Sequence, residues 1–350
     1  MLRPNPNRRV LLQGILGAPL AAAIGGRPGG ARAATVATAG AGPAARPVLP
    51  RELRLDYAYY SPASLVLKRF GWIEQQAQAQ GTEVRWVQSL GSNRALEFLN
   101  SGAVDFGSTA GLAAVLGRAN GNPISTVWIY SRPEWTALAV NGDSPIRTVA
   151  ELRGRKVAAT KGTDPYLFLL RSLHEAGLTR SDVEIVHLQH PDGRVALQQR
   201  RVDAWAGLDP HLAASQLQDG TRLLYRNVAF NTYGFLNVPV AFAAQYPDAI
   251  GLVLAGYERA RRWILAHPED TAATLAQEAR LPIEVARLQL SRTDFSSPAP
   301  GAEQIAALRA AAPILRQEQL VKDGVDLDAV IGTLVREDFA RSALARDDAR

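Results

Sequence analysis

The chain has no cysteine among its 350 residues. That absence excludes disulfides, thiolate metal sites and thiol catalysis, and it leaves no obstacle to folding before export into an oxidising compartment. Acidic residues are missing from the first 33 positions, and no apolar run is long enough to span a bilayer. The formal charge of +6 is also hollow, because Arg3, Arg8, Arg9, Arg27 and Arg32 all fall in that acid-free start and leave 34 basic against 33 acidic residues elsewhere. No basic stripe interleaves with aromatics, so nucleic acid is excluded as a partner. The five histidines have no nucleophile-and-orienter set around them. His187 and His190 lack a second group of ligands at useful spacing, so no metal and no cofactor is expected, and a non-enzymatic role is favoured.

What the sequence does contain begins with its leader. A moderately apolar stretch ends at Ala31-Arg32-Ala33, a small-residue cleavage pattern, and Arg8-Arg9 precede Val10-Leu11-Leu12 as in a twin-arginine signal. Residues 1–33 are therefore expected to be an export signal, cut or retained as an anchor. Residues 34–50 lack periodicity and read as a flexible tether. The roughly 300 residues that follow exceed what one ordinary core holds, which favours two lobes.

Strands and helices alternate through most of this region, which predicts an α/β fold. Strands are expected over 53–57, 83–87, 104–107 and 136–140, with helices over 64–78, 93–100 and 110–119. A second series has strands over 156–160, 183–188 and 204–207 and helices over 166–176 and 194–199. Helices then dominate over 249–267, 268–278, 282–291 and 303–320. Parallel sheets built this way gather ligands at their carboxyl edges. The turn-rich stretch 141–145 and the strand 235–240 are expected crossovers, dividing the chain into a first part of lobe 1 (51–140), lobe 2 (141–240) and a helical part completing lobe 1 (241–340). Two crossovers form a hinge on which the lobes can close over a ligand.

The segment SPIRTVAELRGRKVAATKGTDPY carries the clearest chemistry. Its strand ends at Lys161-Gly162-Thr163-Asp164-Pro165, where glycine permits the turn, Thr or Asp caps, and proline suits the first helical turn. A helix begun there aims unpaired N–H groups and the positive end of its dipole at whatever lies beyond the strand. Ser92, Thr109 and Thr163 share this strand-to-helix position, where a hydroxyl either caps the helix or donates to an anion. Gly91 and Gly162 either supply turn geometry or allow close ligand approach. Tyr59 or Tyr60 offers a ring and a hydroxyl to a guest with a charged head and an apolar tail. Trp135 lines the same cleft or packs the hinge. Gln189 and His190 follow a strand and can hydrogen-bond the guest. Asp209 either meets a ligand amine or caps the next helix.

Taken in order behind the leader, LRLDYAYYSPASLVLKRFGWIE, GSNRALEFLNSGAVDFGSTAG, SPIRTVAELRGRKVAATKGTDPY and RVDAWAGLDPH resemble the substrate-binding proteins of aliphatic sulfonate ABC transporters, within the nitrate, sulfonate and taurine group. The resemblance runs over about 53–335. It implies the two-lobed type II periplasmic binding-protein fold, a monomeric periplasmic receptor, and delivery of a small organic anion, an alkanesulfonate, to a membrane permease. It also implies that the head group is held at the turns containing Gly91, Ser92 and Asn93, then Thr109, Ala110 and Gly111, then Gly162, Thr163 and Asp164, with Tyr59, Tyr60 and Ser61 lining the cleft. Many sulfonate binders carry aromatics on both sides of an Asp-Pro pair where this chain has Leu208-Asp209-Pro210-His211. Taurine, whose amine would need Asp164 or Asp209, nitrate, a thiamine-precursor pyrimidine, and an exported enzyme on the same scaffold are the alternatives.

Overall fold

The computed structural model describes residues 49–348. The expected leader, 1–33, and all but the last two residues of the expected tether lie outside them. The chain opens with strand β1 (Glu52–Tyr57), helices α1 (Pro62–Phe70) and α2 (Trp72–Gln78), β2 (Glu83–Gln88), α3 (Ser92–Ser101), β3 (Gly107–Ala110), α4 (Gly111–Ala119) and β4 (Ile124–Pro133). A second run follows, with β5 (Thr136–Asn141), β6 (Lys156–Ala159), α5 (Asp164–Glu175), β7 (Glu184–His187), α6 (His190–Gln198), β8 (Ala204–Leu208), α7 (His211–Gln218) and β9 (Thr221–Tyr225). The chain then returns through β10 (Gly234–Pro239) to α8 (Val240–Gln245), α9 (Pro247–Ala266), α10 (Pro268–Ala279), α11 (Ile283–Leu290), β11 (Thr293–Asp294), α12 (Ala302–Ala311), α13 (Pro313–Gln317), α14 (Leu327–Leu334) and α15 (Glu337–Asp348).

These strands form two lobes. In the first, β1 and β2 pair in parallel and meet the set β3-β10-β4-β11 through a bridge between Leu55 and Phe106. In the second the order is β7-β6-β8-β5-β9. Each lobe thus has parallel strands leading into helices, with β10 and β11 in the first and β5 in the second running against them. Leu112 and Val115 of α4 belong to the same buried cluster as Leu167 and Leu170 of α5, so apolar packing continues from one lobe into the other.

Several boundaries differ from the sequence reading for local reasons. The expected helix over 64–78 is two helices, because Gly71 takes a left-handed conformation (φ 63°) that closes α1. The expected helix over 303–320 divides at Pro313, which suits a first helical turn and not an interior. The strand expected over 104–107 begins at Gly107 and runs to Ala110, where Thr109 and Ala110 pair with Phe235 and Gly234. The first change of sheet lies between Pro133 and Thr136, not at 141–145, because β5 pairs with β8 and β9. The return falls between Tyr225 and Gly234, ahead of the expected 235–240.

Candidate functional site

Three helix starts meet where the carboxyl ends of the two sheets face each other. From the first lobe comes the Gly91-Ser92-Asn93 turn opening α3, and from the second come Gly162-Thr163-Asp164 opening α5 and Gln189-His190 opening α6. Gly162, left-handed at φ 79°, lies against Asn93, whose Cβ is 3.4 Å from where a Gly162 Cβ would stand. A Cβ on Gly91 would lie 2.9 Å from Asn93 Oδ1 and 3.0 Å from His190 Nε2. The lobes therefore touch here through glycine backbone set against side chains. Beside this contact is a cavity of about 10 Å³ lined by Tyr60, Ser92, Trp135, Thr163, Asp164, Pro165 and Leu208. That is room for about one water, as in a closed cleft.

The polar groups around it fall into used and unused sets. Ser92 Oγ accepts the Ala110 N–H at 2.9 Å, which leaves its own proton for a guest. Thr163 Oγ1 donates to Thr160 O at 2.6 Å, so its hydroxyl is spent on the turn and its contribution is the helix start itself. Asp164, 2% exposed, accepts from Trp135 Nε1 (2.9 Å), Thr232 N (3.1 Å) and Thr232 Oγ1 (2.8 Å). Burial nevertheless raises its pKa. Tyr60 donates to Ser108 O at 3.0 Å and meets Trp135 edge-on, with centroids 5.9 Å apart. Ser61 Oγ, Asn93 Oδ1, Gln189 Oε1 and His190 Nε2 are buried without a hydrogen-bond partner among the described residues.

The state of His190 follows from its neighbours. Thr160 gives its only hydroxyl proton to Leu188 O at 2.7 Å, so at 3.1 Å from Thr160 Oγ1 the His190 Nδ1 must be the donor. Nε2 then carries a bare lone pair, and burial, helped by His211, depresses the pKa to about 3. His211 is itself lowered to about 4, first by burial. Asp56 and Asp209 move the other way, each raised to about 6 by burial. On acidification below about pH 6 the two imidazoles cost stability, since the unfolded chain binds protons that the folded one refuses. The two carboxyls gain it, since their folded forms bind protons first. The slopes are similar and opposite, so unfolding free energy by urea denaturation is expected to change by less than about 2 kcal/mol between pH 6 and 4. His190→Gln removes one opposing slope, and stability should then rise on acidification; a fall would overturn the assignment.

The remaining candidates are placed elsewhere. Thr109 Oγ1 accepts from Asn237 Nδ2 (2.8 Å) inside the first lobe, because it lies in β3 and not in a turn. Ala110 serves indirectly, as the donor to Ser92. Gly111 sits in the core, where a Cβ would meet Leu308 and Phe235. Tyr59 packs beside Leu65 and Ala272. Asp209 accepts from Ala213 N at 2.8 Å and faces Arg292 at 3.4 Å, which is the helix-capping alternative. Leu208 and Pro165 line the cavity and were not singled out as site residues. Nor was Thr232, 68 residues from the Asp164 it braces, for which no local signal exists. Asp56 had none either, because Glu52, Arg54 and Asp56 alternate with Leu53 and Leu55 along β1; it accepts from Ser108 N and Oγ.

Residues 78–271 match the family described as NMT1/THI5 like. A putative aliphatic sulfonates-binding protein of Escherichia coli is 32% identical over 281 residues, covering 79% of this chain and 88% of that protein. Among solved structures, the alkanesulfonate-binding protein of Xanthomonas axonopodis pv. citri bound to MOPS superposes with a TM-score of 0.75 at 27% identity, over 82% of this chain and 98% of that one. The periplasmic aliphatic sulphonate binding protein of Escherichia coli gives 0.69 at 31% identity, over 80% and 91%. With its two lobes hinged on paired crossovers and these likenesses over most of its length, the chain belongs to the NMT1/THI5-like family.

Proposed function

We propose that this protein is the periplasmic solute-binding receptor of an ABC importer and that it captures an aliphatic sulfonate between its lobes. The observation that carries the reading is the meeting of the α3 and α5 starts, one from each lobe, at one small cavity whose only acid is already fully engaged, with the α6 start against Gly91. Helix starts hold an anion through N–H groups and dipole without a formal cation. Ser92 adds a hydroxyl proton, while Tyr60, Trp135 and Leu208 give an apolar wall for a hydrocarbon tail. The Escherichia coli and Xanthomonas relatives, named for such ligands, support the same chemistry. Because Asp164 and Asp209 both have partners, neither is held ready for the amine of taurine.

Capture needs no reaction. The ligand favours the closed state by its extra affinity for it, and the closed form then meets the permease. A thermal-shift panel of methanesulfonate, longer alkanesulfonates, taurine, sulfate and nitrate tests the assignment. At a hundredfold excess over Kd the alkanesulfonates should stabilise the fold by about 2.7 kcal/mol, about 4 °C, and be recovered unchanged. A shift by nitrate or taurine alone, or turnover of the sulfonate, would replace this reading.

A further inference from the structure

A cavity far roomier than the cleft lies behind it at the hinge. About 860 Å³ in volume, it shares no lining residue with the cleft cavity, and the two adjoin at the Asp164–Thr232 hydrogen bonds. Its walls come from both crossovers, Pro133–Glu134 and Asn231–Thr232, from α5 through Arg171, and from α12 through Ala307 and Ala310. The volume is that of a small-molecule site.

Charge accounting selects the guest. Of its three arginines, Arg132 pairs with Glu303 at 2.7 Å, and Arg292 faces Asp209 at 3.4 Å. Glu134 is paired with Arg226, and Asp294, on the exposed rim, accepts from Ser296 N and Oγ. Arg171 differs. It donates to Phe230 O at 3.2 Å and stacks on the Phe230 ring at 4.0 Å, with no carboxylate in ion-pair reach among the described residues. The nearest acids, Asp164 and Glu175, are committed to Trp135 and Thr232 and to Tyr225. Val228, 61% exposed, adds an uncovered apolar side chain to the same wall.

We infer that this hinge cavity is a second binding site, for a small organic monoanion whose carboxylate or sulfonate pairs with Arg171 and whose apolar body lies against Val228 and α12. A half-buried guanidinium lacking an anion gains a charge-assisted, bidentate partner, and the exposed valine is covered. Because the guest touches both crossovers, its affinity differs between open and closed lobes.

The probe is 4-bromobenzoate with the full chain. Calorimetry should give one saturable site in wild type. Arg171→Gln should weaken it by about tenfold or more, the worth of one charged hydrogen bond. Ala310→Trp, on an exposed face of α12, should weaken it similarly by filling the cavity while Arg171 stays in place. A soaked crystal should show the bromine anomalous peak beside Ala307 and Val228. A bromine peak only in the front cleft, no saturable binding in wild type, or undiminished wild-type affinity in both variants would overturn the inference. None of these readouts depends on what the cleft binds.

Discussion

Gly91→Val is expected to lower ligand affinity by about two orders of magnitude while leaving the unfolding transition of the unliganded protein nearly unchanged. At Gly91 the first lobe presses its backbone against a side chain of the second, and His190 cannot yield easily because Thr160 holds its Nδ1. The clash of a branched side chain with His190 arises only when the lobes are closed and overpacks that state by about 3 kcal/mol. Since closure is linked to binding, that energy appears as a loss of about 150-fold in apparent Kd. Gly91→Ala should cost less, because Asn93 Oδ1 ends a short movable chain. Adding His190→Ala to Gly91→Val should recover about tenfold by vacating the second-lobe side. Calorimetry with an alkanesulfonate measures all three. If Gly91→Val binds as tightly as wild type, the Gly91–His190 contact does not belong to the binding-competent state.

How much of this site the sequence could disclose depends on how local each determinant is. Alternation of short apolar runs with helical stretches was enough for two α/β lobes, since burial of parallel strands is written into composition. The turns at Gly91 and Gly162 were readable because glycine, hydroxyl and proline punctuate a strand-to-helix junction within a few residues. What stayed hidden was partnership. Thr109 and Ser92 look alike in sequence, and each hydroxyl accepts one bond, from Asn237 Nδ2 and from Ala110 N, yet only Ser92 lines the cavity. β4 and β9 were not expected as strands, although β4 is almost wholly buried. Placing the crossover at 141–145 followed a strong turn signal, but pairing of β5 with β8 decides which sheet owns the strand, and that pairing spans 66 to 72 residues. Arg171 and Val228 gave no signal at all, because an unmatched charge is defined only by which acids are near.

The largest loss of stability is expected from Asp164→Ala. The carboxylate takes three hydrogen bonds from two different crossovers, Trp135 on the first and Thr232 on the second, and Thr232 Oγ1 in turn accepts the Leu112 N–H at the start of α4. One buried acid therefore ties α5 to both hinge segments and, through Thr232, to the first lobe. Its own charge is costly to bury, which raises the pKa, but removing it leaves three buried donors without an acceptor. The cost is about 4 kcal/mol, or about 6 °C in Tm for a domain of this size. Asp164→Asn keeps one oxygen, and its amide nitrogen can only donate where Trp135 or Thr232 already donates, so it should fall between the two. Thr232→Val separates bracing from charge. It removes the hydroxyl link to Asp164 and Leu112 while leaving the Trp135 bond, and should cost about 1–2 kcal/mol. Equal loss in Asp164→Ala and Thr232→Val would place the whole effect in the hydroxyl relay. If instead Asp164→Ala is as stable as wild type, desolvation of the acid cancels its three bonds and the carboxylate is kept for the geometry it imposes on Trp135 at the cleft, a role that ligand affinity in the same variant would report.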